Sequence, residues 1–238
     1  MKVVIVMPAY QAGKTIKSVF DRISDKTLKI IDEFIIVDDG CTDNTPDMIK
    51  DLIKKYKIKT LVHNPNRGYG AAQKTGFNQA VKDKADIAVL LHSDGQYPPE
   101  MLLDLIKPIQ DNEADVVIGS RILGGKALEG GMPLHKYIGN RFLTGIENLA
   151  YGMHISEFHS GYMIYSKKAL EKIPFNKLSD TFHFDGEMTM MAGKKKLRIK
   201  EIGIPTRYAD EKSHLNPIKY GFTVLKIIIR NLMGKYNF

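Results

Sequence analysis

Short apolar runs alternate along the chain with segments in which apolar side chains recur at helical spacing. Residues 87–91 are five apolar residues in succession. This run is too short for an independent helix and predicts a strand buried on both faces. Runs at 3–7 and 34–37 have the same character, and helical spacing follows each of them. The alternation predicts an α/β fold with a mostly parallel central sheet and helices on both of its faces.

The remaining predicted elements follow the same order. Further strands are expected at 59–63, 115–119 and 197–204. Helices are expected at 15–23, 46–56, 71–80, 99–110, 134–151 and 218–231. Residues 1–215 are therefore expected to form one domain, and 216–238 a basic amphipathic helix that follows it.

Composition limits the classes of protein that remain. The chain has 238 residues, of which 43% are hydrophobic, and a single cysteine, Cys41. A disulfide framework and a multi-cysteine zinc site are thereby excluded, which fits a cytoplasmic protein. No apolar run approaches the roughly 18 residues that cross a bilayer. The net charge of +8 favours anionic partners such as nucleotide phosphates or an acidic lipid surface. No nucleic-acid motif accompanies this charge, so nucleic acid is not expected as a partner.

Polar side chains follow the predicted strands at their carboxyl ends, where open α/β sheets bind ligands. Tyr10, Asp39 and Asp94 follow three of the strands, and Arg67 and Arg121 lie in neighbouring loops. Adjacent acids repel one another unless a cation or a donor-rich ligand is present. Asp39 can accept from a base or ribose, Asp94 can hold a divalent cation and Arg121 can pair with phosphate. Neither a Walker loop nor the dinucleotide fingerprint is found, which argues against a nicotinamide enzyme.

Four motifs occur in a fixed order. They are Pro-Ala-Tyr at 8–10, Val-Asp-Asp-Gly-Cys-Thr-Asp at 37–43, Asn-Arg-Gly-Tyr-Gly at 66–70 and His-Ser-Asp-Gly-Gln at 92–96. Together they resemble glycosyltransferase family 2, which has the A-type glycosyltransferase fold. Within that family the dolichyl-phosphate mannose synthase group is the most similar, and the resemblance covers residues 2–215.

The resemblance implies roles for individual residues. Pro8, Tyr10 and Asp39 would hold the nucleoside of a nucleotide-sugar, and an Asp-X-Asp motif would bind Mg²⁺ or Mn²⁺ on its diphosphate. The residues expected near the donor phosphates are Arg67, Gln96, Arg121 and Lys136. Residues 207–214 are also expected to approach these phosphates.

Position 92 departs from the family pattern, because His92 stands where the first Asp of the Asp-X-Asp motif is expected. Asp94 keeps its role as a metal ligand. For His92 two interpretations remain open. It is itself a ligand, which favours Mn²⁺ over Mg²⁺, or it orients Asp94 or contacts the sugar.

Three features of the second half have more than one interpretation. The glycine-rich residues 123–132 form a mobile flap that closes over substrate, or a plain surface connection. Asp185 and Glu187 begin a predicted helix, where they either cap it or act in catalysis. A lipid-phosphate acceptor needs no general base, and Glu187 would then position other groups. The apolar face of 218–231 is expected to pack on the core or form a dimer contact, with docking on a membrane surface as the alternative.

The leading hypothesis is an inverting glycosyltransferase. It would move a sugar from GDP-mannose or a UDP-sugar to a polyprenyl phosphate or a hydroxyl acceptor, with peripheral contact at the inner face of the cell membrane. A sugar-1-phosphate nucleotidyltransferase is one alternative, but the expected Gly-rich basic loop is reduced to Gly13 and Lys14. A non-catalytic nucleotide-sugar binder is the other alternative.

Overall fold

The computed structural model describes residues 1–206 and 217–238, excluding the side chains of 217 and 218. The strands are β1 (Val3–Ala9), β2 (Glu33–Asp38), β3 (Ile58–Val62), β4 (Ile87–Leu90), β5 (Val116–Ser120), β6 (Met163–Ser166) and β7 (Ile199–Gly203). The α-helices are α1 (Ile16–Asp21), α2 (Asp25–Leu28), α3 (Thr45–Ile53), α4 (Tyr69–Lys82), α5 (Leu102–Gln110), α6 (Leu134–Tyr151), α7 (Lys167–Lys172), α8 (Phe184–Lys194) and α9 (Pro217–Leu232).

The seven strands form one sheet in the order β3-β2-β1-β4-β6-β5-β7. Strands β1 to β4 are mutually parallel, and β5 is parallel to β7. Strand β6 lies between β4 and β5 and is antiparallel to both. The mostly parallel α/β prediction is therefore confirmed. The central strand β4 is parallel to only one of its two neighbours, because β6 enters the sheet in the opposite direction.

Both faces of the sheet are covered. In β1, Val4 and Val6 belong to one apolar core together with Phe77 of α4. The alternate residue Ile5 belongs to a second core, with Phe20 of α1 and residues of α5. Successive side chains of a strand point to opposite faces, so helices cover the sheet on two sides. All of β4 is fully buried, as its apolar run predicts.

A buried ion pair fixes the register between β5 and β7. The side chain of Asp115 is 3% exposed and accepts hydrogen bonds from the backbone N–H of Arg198 at 2.9 Å and from its Nη2 at 3.0 Å. Lys168 is a second partner residue, with its Nζ at 3.1 Å. These donors, with Arg198 foremost, hold the pKa of Asp115 well below its ordinary value despite burial.

The glycine-rich segment packs closely against the end of β7. A Cβ added to Gly124 would lie 2.4 Å from the backbone oxygen of Ile204, and one at Gly130 would lie 2.2 Å from that of Thr206. Ala127, between them, is buried. The glycines therefore let the backbone of this segment lie directly against the backbone that follows β7. This role of the glycines was not predicted from the sequence. Movement of this segment as a flap stays a prediction.

The C-terminal helix forms as predicted, but the side that it buries differs from the expectation. Val224, Ile227 and Ile228 are buried, whereas Phe222 and Ile229 are exposed. Only some side chains of the predicted apolar face therefore pack against the protein. The predicted domain boundary, between 215 and 216, and the segment 207–214 both lie within residues 207–216, which are outside the described residues. Among the described residues, no helix is long and apolar enough to cross a membrane.

Candidate active site

Asp39, at the end of β2, organises the loop that follows β3. One of its carboxylate oxygens accepts from the backbone N–H of Arg67 at 2.9 Å and contacts Nδ1 of His63 at 2.6 Å. The other accepts from Asn66 Nδ2 at 2.8 Å and from the Gly68 N–H at 3.0 Å. A carboxylate has about four acceptor positions, so these contacts occupy all of them. Nucleoside binding by Asp39 stays a prediction; in this conformation the carboxylate positions the loop that carries Arg67.

The ends of β1 and β4 are joined beside this loop. Ser93 donates a hydrogen bond from its hydroxyl to the backbone oxygen of Pro8 at 2.9 Å, and its own backbone oxygen accepts from Thr15 Oγ1 at 2.8 Å. Tyr10, just past β1, is exposed, as is Arg67. Both therefore remain accessible to a ligand at the carboxyl edge of the sheet.

A hydrogen-bonded chain connects three elements at the end of β4. The Tyr69 hydroxyl, in the first turn of α4, lies 2.7 Å from His92 Nε2 and donates to Asp185 Oδ2 at 2.7 Å. The other oxygen of Asp185 accepts from Gln73 Nε2 at 2.9 Å. We call the group of Asp185, Tyr69 and His92 the Tyr69 bridge. It brings together two of the predicted site residues, through a tyrosine to which sequence analysis assigned no role.

The bridge determines which ring nitrogen of His92 carries the proton. Tyr69 has one hydroxyl proton and uses it in the hydrogen bond that it donates to Asp185, so its oxygen accepts a hydrogen bond from His92 Nε2–H. With Nε2 carrying the hydrogen, Nδ1 is the ring nitrogen whose lone pair can bind a metal, and it lies 3.9 Å from Asp94 Oδ2. Burial, followed by the charge of Asp185, raises the pKa of Tyr69 well above its ordinary value, so the hydroxyl keeps its proton. Burial also raises the pKa of Asp185, against the opposing influence of His92 and Tyr69.

The space for this bridge depends on a glycine in the segment before β6. A Cβ added to Gly161 would lie 2.7 Å from the ring of His92 and 2.8 Å from the Tyr69 hydroxyl. The backbone N–H of Gly161 donates to the hydroxyl of Tyr97 at 2.7 Å. The absent side chain thus lets the backbone approach the imidazole closely.

Asp94 and His92 have the chemistry of a divalent-cation site. The side chain of Asp94 is 40% exposed, and its Oδ1 accepts from the backbone N–H of Gln96 at 3.0 Å. Among the described residues, no group of three or more His, Cys, Asp or Glu side chains could hold a metal by itself. Mg²⁺ and similar ions are commonly held by one or two carboxylates together with substrate phosphates. One carboxylate and one imidazole lone pair therefore fit a cation shared with a diphosphate.

Arg121 pairs with a buried acid that sequence analysis did not single out. Glu157 is fully buried. It accepts from Arg121 Nε at 2.9 Å and Nη2, from the Arg121 backbone N–H at 2.7 Å and from Asn140 Nδ2 at 3.0 Å. Burial alone would raise the pKa of Glu157, but the Arg121 guanidinium outweighs it and holds the pKa below the ordinary value. Contact of Arg121 with phosphate stays a prediction, as does that of the half-buried Lys136.

Asp185 and Glu187 lie in different surroundings although they are two residues apart. Glu187 is buried; it accepts from the backbone N–H of Ser179 at 2.7 Å and from the hydroxyl of Tyr236. Side chains two apart on a helix do not face the same side, so Glu187 points to the C-terminal residues and Asp185 to the Tyr69 bridge. A catalytic role for Glu187 stays a prediction, and its contacts here are structural.

Comparison with known proteins agrees with this geometry. Residues 4–174 match the family described as Glycosyl transferase family 2. UDP-N-acetylglucosamine--dolichyl-phosphate N-acetylglucosaminyltransferase of Methanococcus voltae is 31% identical over 97% of this chain and 96% of its own length. Dolichol-phosphate mannosyltransferase of Pyrococcus furiosus is 28% identical over 75% of this chain and 50% of its own length.

A solved structure shows the same fold. Glucosyl-3-phosphoglycerate synthase from Mycobacterium tuberculosis, in complex with Mn²⁺, UDP and glucosyl-3-phosphoglycerate, superposes with a TM-score of 0.69. The alignment covers 99% of this chain and 80% of that one at 18% identity. The family match spans more than half of the chain, and the order of motifs along the sheet edge agrees with it. The chain is a glycosyltransferase and belongs to glycosyl transferase family 2.

Proposed function

We propose that this protein transfers a sugar from a nucleoside diphosphate sugar to a polyprenyl phosphate, with inversion at the anomeric carbon. The observation that carries the proposal is the Methanococcus voltae relative, similar over nearly the whole of both chains, whose name gives dolichyl phosphate as acceptor. The same name gives a UDP-sugar as donor, so we favour a UDP-sugar over GDP-mannose. The mannosyltransferase of Pyrococcus furiosus supports the second donor over a shorter match.

The proposed acceptor chemistry requires no general base, and the two buried acids at the start of α8 have other partners. A phosphate monoester is anionic at neutral pH, so its oxygen attacks the anomeric carbon without losing a proton. The bond from that carbon to the diphosphate breaks as the new carbon–oxygen bond forms. Asp185 is committed to Tyr69 and Gln73, and Glu187 to Ser179 and Tyr236. We therefore assign Asp185 as a positioning residue for His92.

The donor diphosphate would lie at the carboxyl edge of the sheet. Asp94, with His92 Nδ1, would hold Mg²⁺ or Mn²⁺ there, and the cation would stabilise negative charge on the leaving diphosphate. Arg67, held in place through Asp39, and Lys136 would add positive charge near the same group. Preorganised charge of this kind is the main source of rate enhancement when the leaving group is an anion.

The test is transfer to lipid. The purified protein is incubated with polyprenyl phosphate in detergent, Mn²⁺ or Mg²⁺, and one labelled donor at a time from UDP-N-acetylglucosamine, UDP-glucose and GDP-mannose. Label should enter the organic phase with a UDP-sugar, and Asp94→Asn should abolish this, whereas Asp51→Asn on the exposed side of α3 should not. Label that stays in water with every donor would contradict the proposal.

Two controls separate the alternative functions. Release of pyrophosphate from UTP and a sugar 1-phosphate would indicate the nucleotidyltransferase. Thermal stabilisation by UDP without transfer to any acceptor would indicate the non-catalytic binder. Since a polyprenyl phosphate resides in a membrane, the proposal also requires peripheral contact with a membrane surface, which we place at its cytoplasmic face.

A further inference from the structure

Large apolar side chains are concentrated at the surface of two helices that pack against each other, α6 and α9. Each is between 56% and 87% exposed. They are Leu134, Ile138, Phe142 and Leu149 of α6, and Phe222, Ile229 and Leu232 of α9. We call these seven side chains the α6/α9 face.

Their spacing forms one stripe on each helix. Leu134, Ile138 and Phe142 follow one another at intervals of four residues, and Phe222 and Ile229 are seven apart. Side chains at these intervals lie on one side of a helix. Helix α9 buries Val224, Ile227 and Ile228 on its other side. The exposed stripe is therefore additional to the apolar side that anchors α9 to the protein.

The exposed charged side chains of α6 and of residues 217–238 are all basic. The only acid in α6, Glu147, is buried and lies 3.0 Å from His159 Nε2. Residues 217–238 contain no Asp or Glu; apart from Lys136, which is assigned above to the donor phosphates, the basic residues of the two segments are Arg141, Lys219, Lys226, Arg230 and Lys235. An apolar surface bordered by cations is complementary to an anionic lipid bilayer, which offers negative headgroups above an apolar interior. A symmetric second copy would instead bring the same cations against each other.

Helix α9 packs beside the candidate active site. Tyr220 of α9 stacks on the ring of His183 with centroids 4.4 Å apart, and its hydroxyl lies 2.9 Å from His159 Nδ1. His183 precedes α8, whose first turn carries Asp185. Beside it Phe182 is exposed and stacks on Tyr69 at 5.2 Å. A surface bound at α9 is therefore close to the Tyr69 bridge.

We propose that the α6/α9 face docks this protein on an anionic lipid bilayer, with its apolar side chains at the boundary between headgroups and acyl chains. Only the purpose of docking rests on the proposed function: docking would bring the active site to a lipid-bound acceptor. Binding to vesicles needs neither donor nor acceptor, so failure of this proposal and failure of the proposed function are distinguishable.

The experiment is sedimentation of the full chain with vesicles of phosphatidylcholine alone and of phosphatidylcholine with phosphatidylglycerol, at low and high salt. We expect binding to the anionic vesicles that weakens as salt is raised. A triple variant of the face should lower the vesicle–water partition coefficient at least tenfold; its substitutions are Phe142→Gln, Ile229→Gln and Leu232→Gln. The matched control, Ile53→Gln/Val62→Gln/Val81→Gln, changes exposed apolar side chains on α3, β3 and α4 and should leave it unchanged.

Charge is tested separately. Arg141→Gln/Lys226→Gln should weaken binding by about fivefold for each charge removed, whereas Lys54→Gln/Lys55→Gln should not. Circular dichroism and thermal stabilisation by UDP verify that each variant is folded. No binding to anionic vesicles, or equal losses in face and control variants, would overturn the proposal. A concentration-dependent dimer that the face variant abolishes, without vesicle binding, would also overturn it and assign the face to self-association.

Discussion

Removing the hydroxyl of Tyr69 tests whether the bridge between Asp185 and His92 acts as described. Tyr69→Phe keeps the ring and its stacking on Phe182 but deletes the oxygen that lies 2.7 Å from both partners. Asp185, which is buried, then keeps the bond from Gln73 and loses the one from Tyr69. The substitution therefore removes two hydrogen bonds, one of them to a buried carboxylate.

The magnitude follows from these two contacts. A hydrogen bond to a charged group contributes about 1.5–3 kcal/mol and a neutral one about 1 kcal/mol. The hydroxyl of Tyr69 no longer has to be removed from water in the variant, which offsets part of the loss. We expect the free energy of unfolding in urea to fall by about 2–3 kcal/mol. Tyr10→Phe, which removes an exposed hydroxyl, should change it by less than about 0.5 kcal/mol.

The same variant has a metal readout that a purely structural role would not produce. Without Tyr69 the proton on His92 is no longer fixed at Nε2, and Mn²⁺ affinity, measured by electron paramagnetic resonance, should fall by about 10–100-fold. Asp185→Asn combined with Tyr69→Phe should show coupling rather than additive losses of stability. This role of the Tyr69 bridge would be refuted if Tyr69→Phe changed the free energy of unfolding by less than about 0.5 kcal/mol. It would also be refuted if Tyr69→Phe left the Mn²⁺ affinity unchanged while Asp94→Ala abolished Mn²⁺ binding.

Three further substitutions test other contacts. His92→Asp should shift the ratio of transfer rates from Mn²⁺ towards Mg²⁺, because carboxylate oxygen suits the harder ion; an unchanged ratio would remove the imidazole from the ligand set. Arg121→Met leaves Glu157 buried without its cation and should lower the free energy of unfolding by about 3–5 kcal/mol. The control Lys54→Met, at the exposed pair with Asp51, should lower it only slightly. Asp115→Asn should lower the free energy of unfolding by about 3 kcal/mol at pH 7. Because the pKa of Asp115 is depressed in the folded state, the wild-type advantage is full above the unfolded pKa near 4 and should shrink in urea titrations as the pH falls below it.

The sequence predicted those elements whose limits are encoded locally. The helix expected at 134–151 is observed as α6 with the same limits, between Pro133 and Gly152, which adopts a left-handed φ of 63° at the C-cap. The direction of β6 had no such signal. Residues 163–165 are a short apolar run, and the run alone does not tell whether it pairs parallel or antiparallel.

The contacts within the site were less predictable, because they join residues that are distant along the chain. Tyr69 lies 23 residues from His92 and 116 from Asp185. Its motif was recognised, but the charged Arg67 beside it was the expected functional residue. Arg121 was expected to meet phosphate, and its partner Glu157 lies 36 residues away in a segment without a motif. The residue types at the sheet edge were predictable, whereas the pairs that they form depend on the assembled fold.

The close approach of Gly161 to His92 and Tyr69 has a consequence for how this site can change in evolution. With a Cβ at 2.7 Å from the imidazole and 2.8 Å from the phenolic oxygen, even alanine at position 161 would displace one of the two rings. A larger residue at position 161 is therefore tolerated only after the residue at position 69 or 92 has been replaced by a smaller one. Among relatives that carry Tyr and His at these two places, position 161 should be glycine without exception, and departures from glycine should occur together with a smaller residue at one of the other two.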